Sequence, residues 1–409
     1  MPNGHPAATF HLPHWRYPAK LKGLSGIYIN TAIRGMAFGL IGIFIPIYIY
    51  KLTGSLAHVF LFYLIRNLVM MFTVVPSAKL ISKIGPDNSM FISNITASLF
   101  LICLTVGNNV PLILWLAPIF TAITINLYWL SYNSAFSSVS KNKKLSKEIA
   151  NVSNISRIVS VFAPLIGGFI ATEMGFQPLL LVGVLLLIIS TLPIFLDEYN
   201  KREKICSFEK VEKDLLKSKE RPLFLSFFFQ GFSITIDVIV WPIILYTFLP
   251  NLEKIGGLTT LTLLITLFVV NWLSRRINRF HLTSFVSGNI GRSFVWLVRG
   301  ISFNPFLIAA TDPIYQASSI FVDLPRSIML FRLGKRSPLS FFTKRELCLH
   351  AGRITATLLI FILLIIGLPW KIVIFLVIGG LAITTFFINQ YHKTRKYPPI
   401  DFRPKFTRL

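Results

Sequence analysis

Apolar residues run through this chain in long blocks, without the alternation of strands or the single apolar stripe of a soluble helix. Twelve such blocks begin near Leu24, Leu56, Met90, Leu112, Ile149, Leu179, Pro222, Ile255, Thr283, Pro305, Leu347 and Ile372. Each supplies the roughly 20 mostly apolar residues that a helix needs to cross a bilayer. A helix is the predicted form, because hydrocarbon offers no water to the backbone and a helix satisfies its own N–H and C=O groups. Turn signals separate most blocks: Gly107-Asn108-Asn109, Gly175-Phe176-Gln177-Pro178, Leu249-Pro250-Asn251 and Gly367-Leu368-Pro369. The blocks from Thr283 and Pro305 show the weakest pattern. The expected fold is all-α, a polytopic membrane protein with twelve transmembrane helices.

Composition agrees, with 54% hydrophobic and only 14% charged residues, where soluble domains carry about 25% charged. The mean hydropathy is +0.66. Residues 1–23 hold Pro, His, Lys and Arg but no apolar signal-peptide core, so no cleavage is expected.

A net charge of +25 raises the alternative of a nucleic-acid partner. The positions of the cations decide against it. With an inside start, 32 of the 41 Lys and Arg fall in inside segments, three (Lys51, Lys254, Lys371) in outside loops, and six are intramembrane arginines. That asymmetry follows the positive-inside rule and makes anionic inner-leaflet lipid the partner of the basic loops. Both termini are therefore expected on the cytoplasmic side of the plasma membrane, and no nucleic-acid reading module is recognisable. Cys103, Cys206 and Cys348 are scattered and odd in number, which implies no disulfide framework. His5, His11 and His14 lack acidic or thiol partners, so no metal site is expected, and no cofactor.

The charged segment Asp197 to Arg221 divides six blocks from six. The expected organisation is a tail (1–23), a six-helix bundle (24–196), a charged linker with a short surface helix (197–221), a second bundle (222–391) and a tail (392–409). A shift of 196 residues lays Gly35, Ile43, Pro46, Ile47 and Tyr50 on Gly231, Ile239, Pro242, Ile243 and Tyr246. The same shift sets KLISKIG (from Lys79) over RRINRFH (from Arg275), Arg157 on Arg353 and Gly183 on Gly379. One offset thus recovers several separated features, the mark of an internal duplication.

These features resemble the major facilitator superfamily over nearly the full chain. Its loop signature, Gly-x-x-x-Asp-Arg-x-Gly-Arg-Arg, is met after the second block by Ala78, Ser82, Lys83 and Gly85, with Pro86 and Asp87 in place of the basic pair. A second copy runs through Ser274, Asn278, Arg279 and His281. SRIVSVFAPLIGG, from Ser156, is similar to a Gly-x-x-x-Gly-Pro-x-x-Gly-Gly motif of exporters, through Pro164, Gly167 and Gly168. The resemblance implies two pseudo-symmetric six-helix bundles around a cavity lined by spans one, four, seven and ten, with alternating access by rocking.

Within that frame the intramembrane charges become candidate chemistry. Arg34, Arg66, Asp237 and Asp312 count to mid-membrane, and the acids lie in one half while these arginines lie in the other. Attraction between halves is the expectation, with Asp237 and Asp312 as proton-coupling groups. A buried carboxylate gains proton affinity by desolvation and loses it near a cation, so a moving arginine toggles it. Pro313, beside Asp312, frees the carbonyl of Ala309. Static ion pairing is the alternative. Arg292 and Arg299 on span nine are set aside as peripheral, with Arg299 expected to snorkel outward. Substrate contacts are expected from Arg34, Arg66, Tyr128, Trp129, Tyr132, Gln230, Tyr315 and Gln316. An inner charge network is expected from Lys83, Glu148, Arg157, Arg279, Glu346 and Arg353.

No phosphate-cradling Gly-x-x-x-x-Gly-Lys-Ser/Thr loop, His-Glu-x-x-His or Gly-x-Ser-x-Gly occurs, which argues against an ATP-driven pump and against an enzyme. The expected function is secondary active, proton-coupled transport of a small organic solute by a monomer. Efflux of amphipathic compounds is favoured by the exporter-like motif and aromatics, uptake of an organic anion by the arginines, and a non-transporting sensor or scaffold is the third reading.

Overall fold

The computed structural model describes residues 25–139, 145–196, 220–277, 281–302, 304–367 and 372–394. Among the described residues there is no strand. Among the described residues there are twelve long helical segments: α1 (Tyr28–Thr53), α2 (Leu56–Ile84), α3 (Pro86–Gly107), α4 (Pro111–Ser138), α5 (Glu148–Glu173), α6 (Phe176–Ile194), α7 (Arg221–Phe248), α8 (Leu252–Arg276), α9 (Leu282–Ile301), α10 (Pro305–Gly334), α11 (Pro338–Ile365) and α12 (Val373–Lys393). Ten of these are long and apolar enough to cross a membrane unaided. The exceptions, α9 and α10, carry Arg292, Arg299, Asp312, Asp323 and Arg326. Their polarity is the reason the apolar pattern weakens there. The linker interior, the tail 1–23, residues 395–409 and Arg279 lie outside the described residues.

Prolines account for most breaks within helices, because Pro cannot bond the carbonyl four residues back. The path of α1 breaks between Ile41 and Phe44, ahead of Pro46, and that of α4 between Leu114 and Ala117, ahead of Pro118. In α7 the turn Ile236–Val240 widens to a π-helix just before Pro242, the repeat equivalent of Pro46. Asp237 sits in that widened turn. By contrast α10 stays continuous through Pro313 and Pro325. Between α2 and α3 only Gly85 intervenes, at φ 88°, a left-handed turn that favours glycine.

Every major pairing in the first six helices recurs in the second six. The contacts α1–α5, α1–α6, α2–α4, α3–α4 and α3–α6 reappear as α7–α11, α7–α12, α8–α10, α9–α10 and α9–α12. Close approach at the equivalent crossings rests on small residues. A Cβ on Gly35 would strike Ser156 of α5, and Cβ atoms on Gly231 and Gly352 would strike the backbones of Leu349 and Phe228. The 196-residue shift lays Gly35 on Gly231 and Ser156 on Gly352. Two pseudo-symmetric six-helix bundles therefore face each other. They join along two seams, α2 on α11 and α5 on α8, and also meet where α1 touches α7 and where α4 touches α10. Facing outward, Phe72, Phe268 and Phe306 are 76%, 73% and 81% exposed, as expected of side chains that meet lipid rather than water.

Candidate functional site

In the first half a single cation occupies the core of the bundle. Arg34 on α1 is buried and donates to Asn94 Oδ1 on α3, which donates onward from Nδ2 to Ser190 Oγ at 3.0 Å. The guanidinium lies 4.0 Å from the Tyr128 ring centroid and 5.0 Å from that of Phe38. Tyr128 is held in turn by its hydroxyl, 3.0 Å from Thr31 Oγ1. The arginine is thus bonded to an amide and stacked on aromatic faces, an arrangement the planar guanidinium suits. No carboxylate pairs with it among the described residues.

Asp237 and Asp312 belong to a different network, with Asp312 two turns into α10 rather than at its middle. Asp237 Oδ2 pairs with Arg292 at 2.9 Å, and its Oδ1 accepts from the Tyr315 hydroxyl. Arg292 also donates to that hydroxyl, at 2.7 and 3.1 Å. Asp312 Oδ1 pairs with Arg299 at 3.2 Å and its Oδ2 accepts from Thr262 at 3.0 Å. Arg299 is wholly buried, 3.3 Å from the Trp241 ring centroid, with a further bond from Nε to Thr311 Oγ1 at 2.9 Å. The expected attraction between halves is therefore overturned. Asp237 and Asp312 are neutralised inside their own half by the arginines of α9, because α9 packs directly on α10 and points both cations inward. Arg299 does not snorkel outward. Among the pair, Asp237 keeps 24% of its side chain exposed and Asp312 only 5%.

Between the halves lies a third polar cluster, on the α2–α11 seam. Asn67 Nδ2 on α2 donates to Thr357 Oγ1 on α11 at 2.9 Å, and its Oδ1 accepts from Arg66 at 3.1 and 3.3 Å. Arg66 also stacks on Tyr63, 4.3 Å from the ring centroid, with no carboxylate partner among the described residues. Arg353 NH1 lies 3.2 Å from His350 Nδ1 and His350 Nε2 lies 2.9 Å from Asn126 Oδ1 of α4. Glu346 pairs with its neighbour Arg345 at 2.7 Å and lies 4.0 Å from His350. Counting along a span from Leu347 puts Arg353 roughly a third of the way in from the cytoplasm. The helix in fact begins at Pro338, which puts His350 and Arg353 at its middle.

On the second seam Arg157 NH1 reaches Thr266 C=O of α8 at 3.5 Å, and Asn154 Nδ2 donates to Asn271 Oδ1 at 2.7 Å. Pro164, Gly167 and Gly168 act in packing there: Gly168 meets the backbone of Leu252 and Glu253, Gly256 meets Pro164, and Gly167 meets Leu40. Glu148 is half-buried at the start of α5, and Lys83 is exposed in the last turn of α2. The expected charge network is therefore split between two seams and the surface.

Along α4 the rings of Tyr128, Tyr132 and Phe136 stack in sequence, at 6.1 and 5.9 Å. Phe136 then meets Phe331 of α10 at 4.6 Å across the halves, beside a bond from Ser137 Oγ to Phe331 C=O of 3.2 Å. This aromatic ladder runs from Arg34 to the α4–α10 contact. Trp129, 47% exposed, flanks the ladder edge-on, 5.4 Å from Tyr128 and 5.8 Å from Tyr132. Gln230 is buried with its Oε1 unpartnered, and Gln316 is half-buried. Sequence reasoning set aside Arg292 and Arg299, and missed His350, Phe136 and Phe331. For the first two a signal existed: Phe285, Asn289, Arg292, Val295, Trp296 and Arg299 form one buried stripe at helical spacing on α9.

The family model for the Major Facilitator Superfamily matches residues 27–334. The chain belongs to the major facilitator superfamily. Its fold is similar to that of the human organic anion transporter MFSD10 (TETRAN), with a TM-score of 0.61 at 13% identity over 91% of this chain and 97% of that one. It is also similar to the E. coli fucose:proton symporter FucP (0.64, 10% identity, 90% and 98% covered) and to a bacterial homologue of the iron transporter ferroportin (0.68, 11%, 91% and 100%). No curated protein matches the sequence. Membership makes this an integral membrane protein of a transporter family, with small-solute transport as its activity, and not an enzyme.

Proposed function

We propose that this superfamily member carries a small organic anion by alternating access of its two halves. The observation that carries the reading is an imbalance of charge. Asp237 and Asp312 are neutralised by Arg292 and Arg299, whereas among the described residues Arg34 and Arg66 have only amides and aromatic rings as partners. A buried cation without a counter-ion costs several kcal/mol. A carboxylate or phosphate group on the solute supplies that counter-ion, and guanidinium forks bind such groups bidentately. The Tyr128–Tyr132 stack beside Arg34 suits an aromatic or apolar body on the same molecule. One protein of this fold is named an organic anion transporter, a precedent for the fold at 13% identity.

The exporter-like motif lends efflux less support, since its glycines serve the α1–α5 and α5–α8 contacts. Proton coupling through a carboxylate is the second reading, favoured by the residual exposure of Asp237. Asp312, sealed between Arg299 and Thr262, fits a structural pin. The distribution of Lys and Arg supports a plasma-membrane setting with cytoplasmic termini.

Counterflow in proteoliposomes tests the reading. Organic anions trapped inside should accelerate entry of the labelled anion, and Arg34→Gln should abolish the exchange. Exchange of neutral or cationic solutes with anions excluded would overturn it.

A further inference from the structure

The two seams joining the halves are equivalent under the internal repeat, yet chemically unlike. The 196-residue shift lays Asn154 on His350 and Arg157 on Arg353. In the α5–α8 seam the cross-half bond joins two amides, Asn154 and Asn271. In the α2–α11 seam the corresponding position holds an imidazole. Of these two equivalent positions only this one therefore holds an imidazole, the side chain whose unperturbed titration falls between about pH 5 and 8.

His350 is wholly buried and is the thirteenth residue of the 28 in α11, at mid-helix. Its hydrogen-bond partners fix its protonation. Asn126 spends its Nδ2 protons on Met70 C=O (2.8 Å) and Thr73 Oγ1 (3.0 Å), so its Oδ1 must accept from His350 Nε2–H. Arg353 can only donate, so His350 Nδ1 must accept. The network admits the neutral Nε2–H tautomer alone. A second proton on Nδ1 would set one donor against another.

The surrounding charge points the same way. On α11 itself stand Arg353, Arg345 and Glu346, and α2 contributes Arg66. The Glu346 carboxylate is already paired with Arg345 at 2.7 Å. From α4 comes the neutral Asn126, from α7 the uncharged Phe228 and Gly231, and α10 carries Asp323 and Arg326, paired with each other at 3.4 Å. Three guanidinium groups thus surround the imidazole against one carboxylate.

We propose that His350 is the proton-responsive residue of the transport cycle. Neutral, it ties α11 to α4 in the arrangement seen. When the halves part at this seam, the ring meets water and Nδ1 takes a proton from it; that proton must return to water before Asn126, His350 and Arg353 can re-form their chain. The joined seam binds one proton fewer at this residue, so it is favoured as pH rises through the range of a solvated imidazole, about 6.5. This rests on the alternating-access reading above and adds the coupling group to it.

The test needs no substrate. Spin labels at Lys83→Cys and Lys335→Cys, with the native cysteines replaced by alanine, report the separation of the halves by double electron–electron resonance between pH 5 and 8. The expected result is a longer-distance population that grows as pH falls. His350→Asn, which restores the amide of the other seam, should stay short at every pH. His350→Arg, a fixed cation, should stay long at every pH. Matching melting curves and elution volumes for the three proteins confirm that each is folded. A pH response that persists in His350→Asn overturns the proposal. Separation by His350→Arg without any response to pH in the parent overturns it while leaving alternating access intact. One fixed distance in all three would overturn both.

Discussion

Removing Asp312 isolates the best-defined buried charge in the molecule. Its partner Arg299 has no exposed surface, lies against Trp241, and has its NH1 already without an acceptor. Asp312→Ala deletes the carboxylate at 3.2 Å and orphans Thr262 and Arg299 together. Loss of one partner from a buried ion pair costs about 3–5 kcal/mol, because the remaining charge stays desolvated. Replacing both, as Arg299→Met with Asp312→Leu, removes the orphan as well as the pair, and such exchanges are often neutral or stabilising by 1–4 kcal/mol in comparable cores. The expected order of melting temperature in detergent is therefore parent and double variant close together, with Asp312→Ala several degrees lower. Intrinsic tryptophan fluorescence on heating reads it, with Trp241 and Trp296 at the site itself. The reasoning fails if the double variant melts as low as the single, or if the single matches the parent.

Asp237→Asn, at a partly exposed carboxylate, keeps one acceptor oxygen for Arg292 or Tyr315 but turns a donor toward the other, and should cost about 1.5–3 kcal/mol by the usual value of a charged hydrogen bond; guanidinium chloride or thermal titration checks it. Transport by Asp237→Asn and Asp312→Asn across a pH series should keep the parent's pH dependence, and its loss in either variant would move proton coupling from His350 to that carboxylate. Arg34→Lys keeps the charge but loses the fork and the stack on Tyr128, so the KM for the anion should rise about tenfold, as about 1.4 kcal/mol implies, with expression unchanged. Gly168→Val drives a side chain into the Leu252 and Glu253 backbone and should depress the melting temperature. Trp129→Ala removes two edge-on ring contacts, to Tyr128 and Tyr132, and should cost about 1–3 kcal/mol in thermal unfolding.

The crossing helices were legible because each must bury its own backbone from lipid, and that requirement writes long apolar blocks into the sequence. The duplication was legible too, since Gly35 and Gly231 mark the same helix crossing in each half. Charge pairing was not. Opposite signs in opposite halves looked complementary, but which arginine reaches Asp237 depends on the inward face of α9, and that depends on packing against α10 and α12. Tyr128, Trp129 and Tyr132 do form one aromatic cluster, with Trp129 edge-on to both tyrosines at 5.4 and 5.8 Å, but only the tyrosines continue into the stack that reaches Phe136. His350 escaped notice because it sits in KRELCLHAGRI, a stretch that reads as the entrance to a span. Only the earlier helix start at Pro338 places it at mid-helix, and only the partners of Asn126 fix its proton.

Arg34 and Arg66, without a carboxylate partner among the described residues, are the groups proposed to take an anion. Thermal shifts of the purified protein against organic anions and their neutral amide or ester analogues address this role without assuming a substrate. Stabilisation by anions alone, lost in Arg34→Gln, is the predicted outcome. Equal stabilisation by neutral analogues, or anion stabilisation that survives Arg34→Gln combined with Arg66→Gln, would contradict it.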